Sequence, residues 1–174
     1  KIDIPGAYEN FKKLKEKYPD LILIPCSAES ELALKEAAKH GLIGYVPGEN
    51  NFEIISNEKL NQKQKNALEF IKKNILEKYN STGVQEVIDR AVFELLKYKA
   101  IFPGGVNKLG DQHGNILPDC FLLPQNSTAL DFAYKLHTDI GNHFVKAIDV
   151  KTKRPVGKDY VLKHRDVIEI ATSK

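Results

Sequence analysis

The sequence predicts two units, an α/β segment with a helical hairpin at residues 1–98 and an α+β domain at residues 99–174, and three observations carry that division. A continuous apolar run, Leu21-Ile22-Leu23-Ile24-Pro25-Cys26, lies between two helical patterns. Two further helical patterns then follow one another across a short joint, and from about Lys99 the chain turns to short apolar stretches separated by turn residues. A length of 174 residues accommodates this, since domains commonly hold about 100 to 150 residues and smaller ones fold alone.

In the first helical pattern, Tyr8, Phe11, Leu14 and Tyr18 recur at i, i+3 and i+4 spacing and give one apolar stripe, which Pro19-Asp20 ends. The run Leu21–Cys26 has the form of a strand buried on both faces of a parallel sheet. Ser27 can cap the next helix, from about Glu29 to His40, and Gly41 suits the left-handed residue that closes it. Helix, buried strand, helix is the order of one crossover in a doubly wound sheet. Residues 44–52 read as a loop rich in Gly, Pro and Asn. The hairpin follows, with Leu68, Ile71, Ile75 and Tyr79 on one face between Asn61 and Tyr79, and a second helix started by Ser81 or Thr82.

In the second unit, Ala100–Phe102 and Asp119–Leu123 read as strands around a turn cluster at residues 111–115. Ser127 or Thr128 caps a short helix whose inner side takes Leu130, Ala133, Tyr134 and His137 or Leu136, with His137 expected in the core. Apolar stretches at Phe144–Val150 and Val167–Ala171 flank a turn at residues 154–157. A hairpin, one helix and returning strands fit a β-grasp, the arrangement of ubiquitin-like domains.

Composition narrows the function classes. Apolar residues make up 42% and charged residues 28%, the balance of an ordinary globular protein, and no stretch approaches the roughly 20 apolar residues that span a bilayer. No membrane partner is expected, and a cytoplasmic location is the simplest reading of an N-terminus without a signal-peptide pattern. Cys26 and Cys120 lack metal-site spacing, the five histidines share none, and no metal is predicted. The chain contains no methionine and begins with Lys1, which predicts that residues preceded it. A net charge of +3 says little by itself about nucleic acid.

Longer segments carry more. Leu117-Pro118-Asp119-Cys120-Phe121-Leu122-Leu123-Pro124, then the run from Ser127 to Gly141, resemble a TGS domain. Lys151-Thr152-Lys153-Arg154-Pro155-Val156-Gly157-Lys158-Asp159-Tyr160, then Asp166–Ile170, are similar to the version in archaeal YchF-like GTPases of the Obg-related group. The likeness extends back through Asn107-Lys108-Leu109 and Ser81–Val87, and covers essentially the whole chain. It implies the C-terminal part of a P-loop GTPase domain followed by a TGS domain.

The resemblance also gives the N-terminus a chemical meaning. GTPases of this kind read guanine with Asn-Lys-x-Asp after one strand and a Ser-Ala-Lys variant after the next; Lys1-Ile2-Asp3 and Ser27-Ala28-Glu29 match these. A carboxylate at Asp3 can accept from guanine N1–H and the exocyclic amine, a donor pair that adenine lacks. The stem of Lys1 would lie along the base, and the Ala28 amide would point at guanine O6. Glu29 departs from the commoner Lys. The plainer reading makes Asp3 a turn residue and Ser27 only a cap. The chain holds no Gly-x-x-x-x-Gly-Lys-Ser/Thr phosphate loop, so GTP and magnesium are implied for the intact protein, and these residues alone are expected neither to hold a cofactor nor to hydrolyse GTP.

Basic residues gather in the second unit: Lys151, Lys153, Arg154, Lys158, Lys163 and Arg165. Such a cluster can contact RNA phosphates, and the resemblance implies association with the ribosome or structured RNA. The alternative is a regulatory TGS module that binds protein, without nucleotide.

Overall fold

The computed structural model describes residues 2–111, 113–117 and 119–173. These divide into two compact units, Lys1–Arg90 and Ala91–Lys174.

The first unit opens with helix α1 (Ala7–Lys17), which begins after Gly6 in the left-handed region and buries none of its residues. Its stripe of Tyr8, Leu14 and Tyr18 is exposed, as are Leu21 and Ile22 in the run that follows. Residues 21–26 form no strand. The expected buried parallel strand is therefore absent, and the reason is geometric: an extended segment becomes a strand only when a neighbour pairs with it in a ladder. Among the described residues the run's backbone meets only single bonds at its ends, from the Leu21 N–H to Tyr18 and from the Ile2 N–H to the Cys26 carbonyl. The apolar character is there without the partner.

Helix α2 (Ala28–Lys39) has Ser27 at its N-cap position, yet the Ser27 side chain makes no capping bond. Its C-terminus is closed as the sequence suggests. Gly41 takes φ +66, its N–H donates to the Ala38 carbonyl, and the Leu42 N–H donates to Ala37. This is the paired bonding of a Schellman motif. A two-residue ladder, β1 (Ile43–Gly44) with β2 (Glu53–Ile54), pins the base of the loop, so Gly44 belongs to a strand.

Helix α3 (Gln62–Ile71) starts from a capping box in which Asn61 and Gln64 exchange side-chain bonds. It passes through a π-helical stretch, Lys72–Leu76, into α4 (Glu77–Tyr79), and Asn80 ends it at φ 66. Leu68, Ile71 and Ile75 point inward as their spacing requires and meet Leu34, Ile43 and Phe52 in the unit's core. The next helix, α5 (Val84–Asp89), is preceded by Gly83 rather than capped by Ser81 or Thr82. The Ser81 Oγ accepts from the Gly83 N–H and the Thr82 Oγ1 from the Val84 N–H at 3.5 Å, so both lie in the turn that leads into the helix, while the Thr82 proton goes to Glu31.

The second unit is a five-stranded sheet, order β4-β3-β7-β5-β6, with a helix on it. Strand β3 (Lys99–Pro103) pairs antiparallel with β4 (Phe121–Leu123) and parallel with β7 (Val167–Thr172). Strand β5 (Phe144–Asp149) runs antiparallel to β7 and to β6 (Arg154–Val156). The first and last strands lying parallel in the middle, with hairpins outside them, is the β-grasp arrangement expected from the sequence.

Helix α6 (Ala129–Leu136) packs on this sheet through Ala129, Phe132 and Ala133, against Ile101, Leu123, Ala147, Leu162 and Ile168. Phe132 is fully buried, with its ring edge-on to Phe121 at 5.9 Å. Its inner face is thus shifted from the expected one, because Tyr134 is 47% exposed. His137 is also exposed and leaves the core. Its Nδ1 accepts from the Asp139 N–H and starts α7 (Thr138–Asn142), which gives a terminal ring nitrogen a partner without burial. At the start of α6 the Thr128 Oγ1 accepts from the Asp131 N–H, and the Thr128 N–H donates to the Asp131 carboxylate. Thr128→Ala removes one half of this box and is expected to cost about 1 kcal/mol in denaturant unfolding.

No helix among the described residues is long and apolar enough to cross a membrane.

Candidate guanine-recognition edge and basic end

Two stretches that lie 24 residues apart in sequence meet in the first unit. The Ile2 N–H donates to the Cys26 carbonyl at 3.3 Å, and the Ser27 hydroxyl donates to Asp3 Oδ1 at 3.2 Å. Ser27 Oγ also lies 2.8 Å from Ser30 Oγ. One hydroxyl carries one proton, so the consistent assignment has Ser30 donating to Ser27 and Ser27 to Asp3. In that assignment the Ser27 oxygen accepts from the Ser30 hydroxyl and not from a backbone N–H of the first turn, in keeping with its lack of a capping bond. Ser27 is fully buried, whereas Asp3 is half-buried and Ala28 and Glu29 are exposed. Lys1, the other residue assigned to the base, lies outside the described residues.

The Ala28 N–H begins α2 and has no protein acceptor among the described residues. It is one of the orphan donors that every helix N-terminus leaves, and it carries the positive end of the helix dipole. An exposed donor and a carboxylate with a free oxygen thus stand on either side of one buried serine. That pairing suits an edge presenting one acceptor beside two donors. A cleft of about 390 Å³ takes in Ile2, Asp3 and Ile4 with Tyr8 and Tyr79. The larger cleft of the unit, about 650 Å³, is lined by α1, residues 19–25 and the 78–83 turn, and includes neither Asp3 nor Ala28.

Beneath the edge is a buried polar group that the sequence reading missed. Glu31, on the first turn of α2, accepts from the Thr82 hydroxyl at 2.6 Å and from the Tyr45 phenol at 2.7 Å. Burial first, and the Glu31 bond second, push the Tyr45 phenol up to about 12, so it stays protonated and donating throughout the physiological range. A signal existed: Glu31, Leu34 and Ala38 share one helical face, and an acid on an apolar stripe requires a buried partner.

In the second unit all six assigned basic residues are exposed. The register Asp149↔Ile168 puts the 150–153 turn and the 163–166 turn at the same end of the sheet. Lys151, Lys153 and Arg154 are therefore brought to the end that holds Lys163 and Arg165. The first turn is fixed by Asp149, whose carboxylate accepts from the Lys151 N–H and the Thr152 hydroxyl. In the second, Asp166 accepts from the Lys163 N–H, and the Arg165 N–H donates to Ala100. Lys158 is apart from them, its carbonyl accepting from Leu130 N–H at the start of α6.

Comparison with known proteins agrees with this architecture. Residues 1–105 match the family described as Obg-like GTPase YGR210-like, G4 motif-containing domain, and residues 109–172 match the TGS domain. A GTP-binding protein of Methanocaldococcus jannaschii is 48% identical over 99% of this chain, which spans 44% of that protein. A GTP-binding protein of Schizosaccharomyces pombe is 29% identical over 74% of the chain and 33% of its own length. The crystal structure of a GTP binding protein from Pyrococcus horikoshii OT3 is 40% identical and superimposes with a TM-score of 0.70, over 99% of this chain and 44% of that one. The chain therefore spans less than half the length of these relatives. It belongs to the Obg-like GTPases of the YGR210-like kind, with that family's G4 motif-containing domain joined to a TGS domain.

Proposed function

We propose that these residues supply the base-reading edge of a GTP-binding protein and a TGS domain that docks on RNA. The observation that supports the first part is the convergence of Asp3 and the Ser27–Ala28 turn, which sets two acceptor positions and one exposed N–H toward the donor and acceptor pattern of guanine. The residues present fit that base. GTP, when bound, brings the phosphoryl group to be transferred; this chain's own part is to choose the base and hold it. Phosphate and magnesium binding are assigned to other parts of the protein, as is hydrolysis, because this sequence holds no phosphate loop. Charge-assisted hydrogen bonds contribute about 1.5–3 kcal/mol each, so two of them predict GDP binding at least about 100-fold tighter than ADP binding. Calorimetry on the full-length protein checks this, and equal affinity for the two nucleotides would remove the assignment.

For the TGS domain, the five basic side chains at one end of the sheet are a phosphate-binding surface. Each phosphate contact releases counterions and steepens the salt dependence of binding. Replacing Lys153 and Arg154 together is expected to weaken binding to ribosomal RNA and to lower the log–log salt slope by about 2. Filter binding across a salt series measures both, and an unchanged slope would favour a protein partner at this end.

A further inference from the structure

We infer that Glu31 and Thr82 are positioning residues for base recognition, so that the turn between α4 and α5 sets where the Ala28 amide points. The inference rests on the guanine-edge reading above and extends it to residues 51 positions apart in sequence. Thr82 is fully buried and Glu31 is 6% exposed, an unusual depth for a carboxylate on a surface helix. Thr82 is bonded from both ends: its hydroxyl donates to Glu31 and its carbonyl accepts from the Ser27 N–H at 2.9 Å. The Ser27 residue that touches Asp3 is thus fixed by Thr82 through the main chain.

The next residue explains why the turn comes so close. Gly83 takes φ +79, and a Cβ there would strike the Pro25 carbonyl, so this turn lies directly against the strand-like run that ends at Ser27. Residues 25–27 are held on one side by Gly83 and Thr82 and on the other by Asp3 and Ile2. Glu31 fastens the Thr82 turn to the first turn of α2, whose opening N–H is Ala28. Tyr45 supplies the second donor that a buried carboxylate needs. Glu31 and Thr82 are buried and bonded to each other, so their effect on recognition passes through the position of residues 27 and 28.

The test is the ratio of GDP to ADP affinity in the full-length protein, compared among wild type, Thr82→Val, Thr82→Ser and Glu31→Gln. Thr82→Val keeps the volume and removes the hydroxyl; the ratio is expected to fall about tenfold, the equivalent of one hydrogen bond to the base. Thr82→Ser restores the donor and is expected to bring the ratio back to within about twofold of wild type. A residue serving only stability would lower the melting temperature and leave the ratio unchanged. Should Thr82→Val not fold, Glu31→Gln carries the same readout, because its amide can accept from one hydroxyl but presents N–H to the other. A wild-type protein without preference for GDP would sink the guanine-edge reading itself. A selective wild type with an unchanged ratio in the folded variants overturns the role of Glu31 and Thr82 alone.

Discussion

Asp3→Asn is expected to reverse the base preference of the full-length protein, lowering guanine nucleotide affinity by about 10- to 200-fold and making the xanthine nucleotide the tighter ligand. The magnitude follows from losing charge-assisted bonds of about 1.5–3 kcal/mol. The direction follows from donor arithmetic. A carboxylate is acceptor-only and matches the N1–H and amine of guanine, whereas a carboxamide offers one acceptor and one donor. Its N–H₂ would oppose the guanine amine but would complement the C2 carbonyl of xanthine. The carboxamide oxygen of that variant can still accept from Ser27, so the 3.2 Å link that places the side chain survives. Competition of guanosine and xanthosine diphosphates against a fluorescent guanine nucleotide measures the reversal. A uniform loss of affinity for both bases would point to a structural role for Asp3.

Phe132→Ala is the substitution expected to cost most in stability, about 3–5 kcal/mol. The side chain is fully buried, faces Phe121 edge-on and fills the space between α6 and the strands carrying Ile101, Ala147 and Ile168. Truncation leaves a cavity that a five-stranded sheet cannot collapse around. Small domains have only about 5–15 kcal/mol in all, so the second unit would lose a large share of its stability and melt earlier by roughly 15 °C or more. Val145→Ala on the same sheet is the control: Val145 is 60% exposed, and its loss is expected to cost less than about 1 kcal/mol. Denaturant unfolding followed by circular dichroism separates the two, and similar midpoints would show that α6 does not close the core.

The β-grasp and the helices were legible because they depend on short-range chemistry. The αL position at Gly41, the capping box at Thr128 and the stripe of Leu68, Ile71 and Ile75 are each written within a few residues. The exceptions depend on partners far along the chain. Leu21–Cys26 has the composition of a buried strand, but composition does not supply the neighbour that makes a ladder. Tyr134 and His137 were misplaced, and Phe132 passed over, by the phase of an eight-residue helix, where a shift of one position moves the inner face by about 100°. The meeting of Asp3 with Ser27 could be anticipated, since their residue types match one chemistry. The bond of Thr82 to Glu31 could not, because only packing of the 81–83 turn brings a hydroxyl to that acid.

The most direct measurement is the amide spectrum of the alanine-labelled full-length protein during titration with GDP and with ADP. The Ala28 resonance is expected to move strongly downfield with GDP, in step with binding, and to stay in place with ADP, because only guanine carries an acceptor at O6 for that N–H. GDP binding that leaves the Ala28 resonance unmoved would contradict the placement of the base between Asp3 and the start of α2.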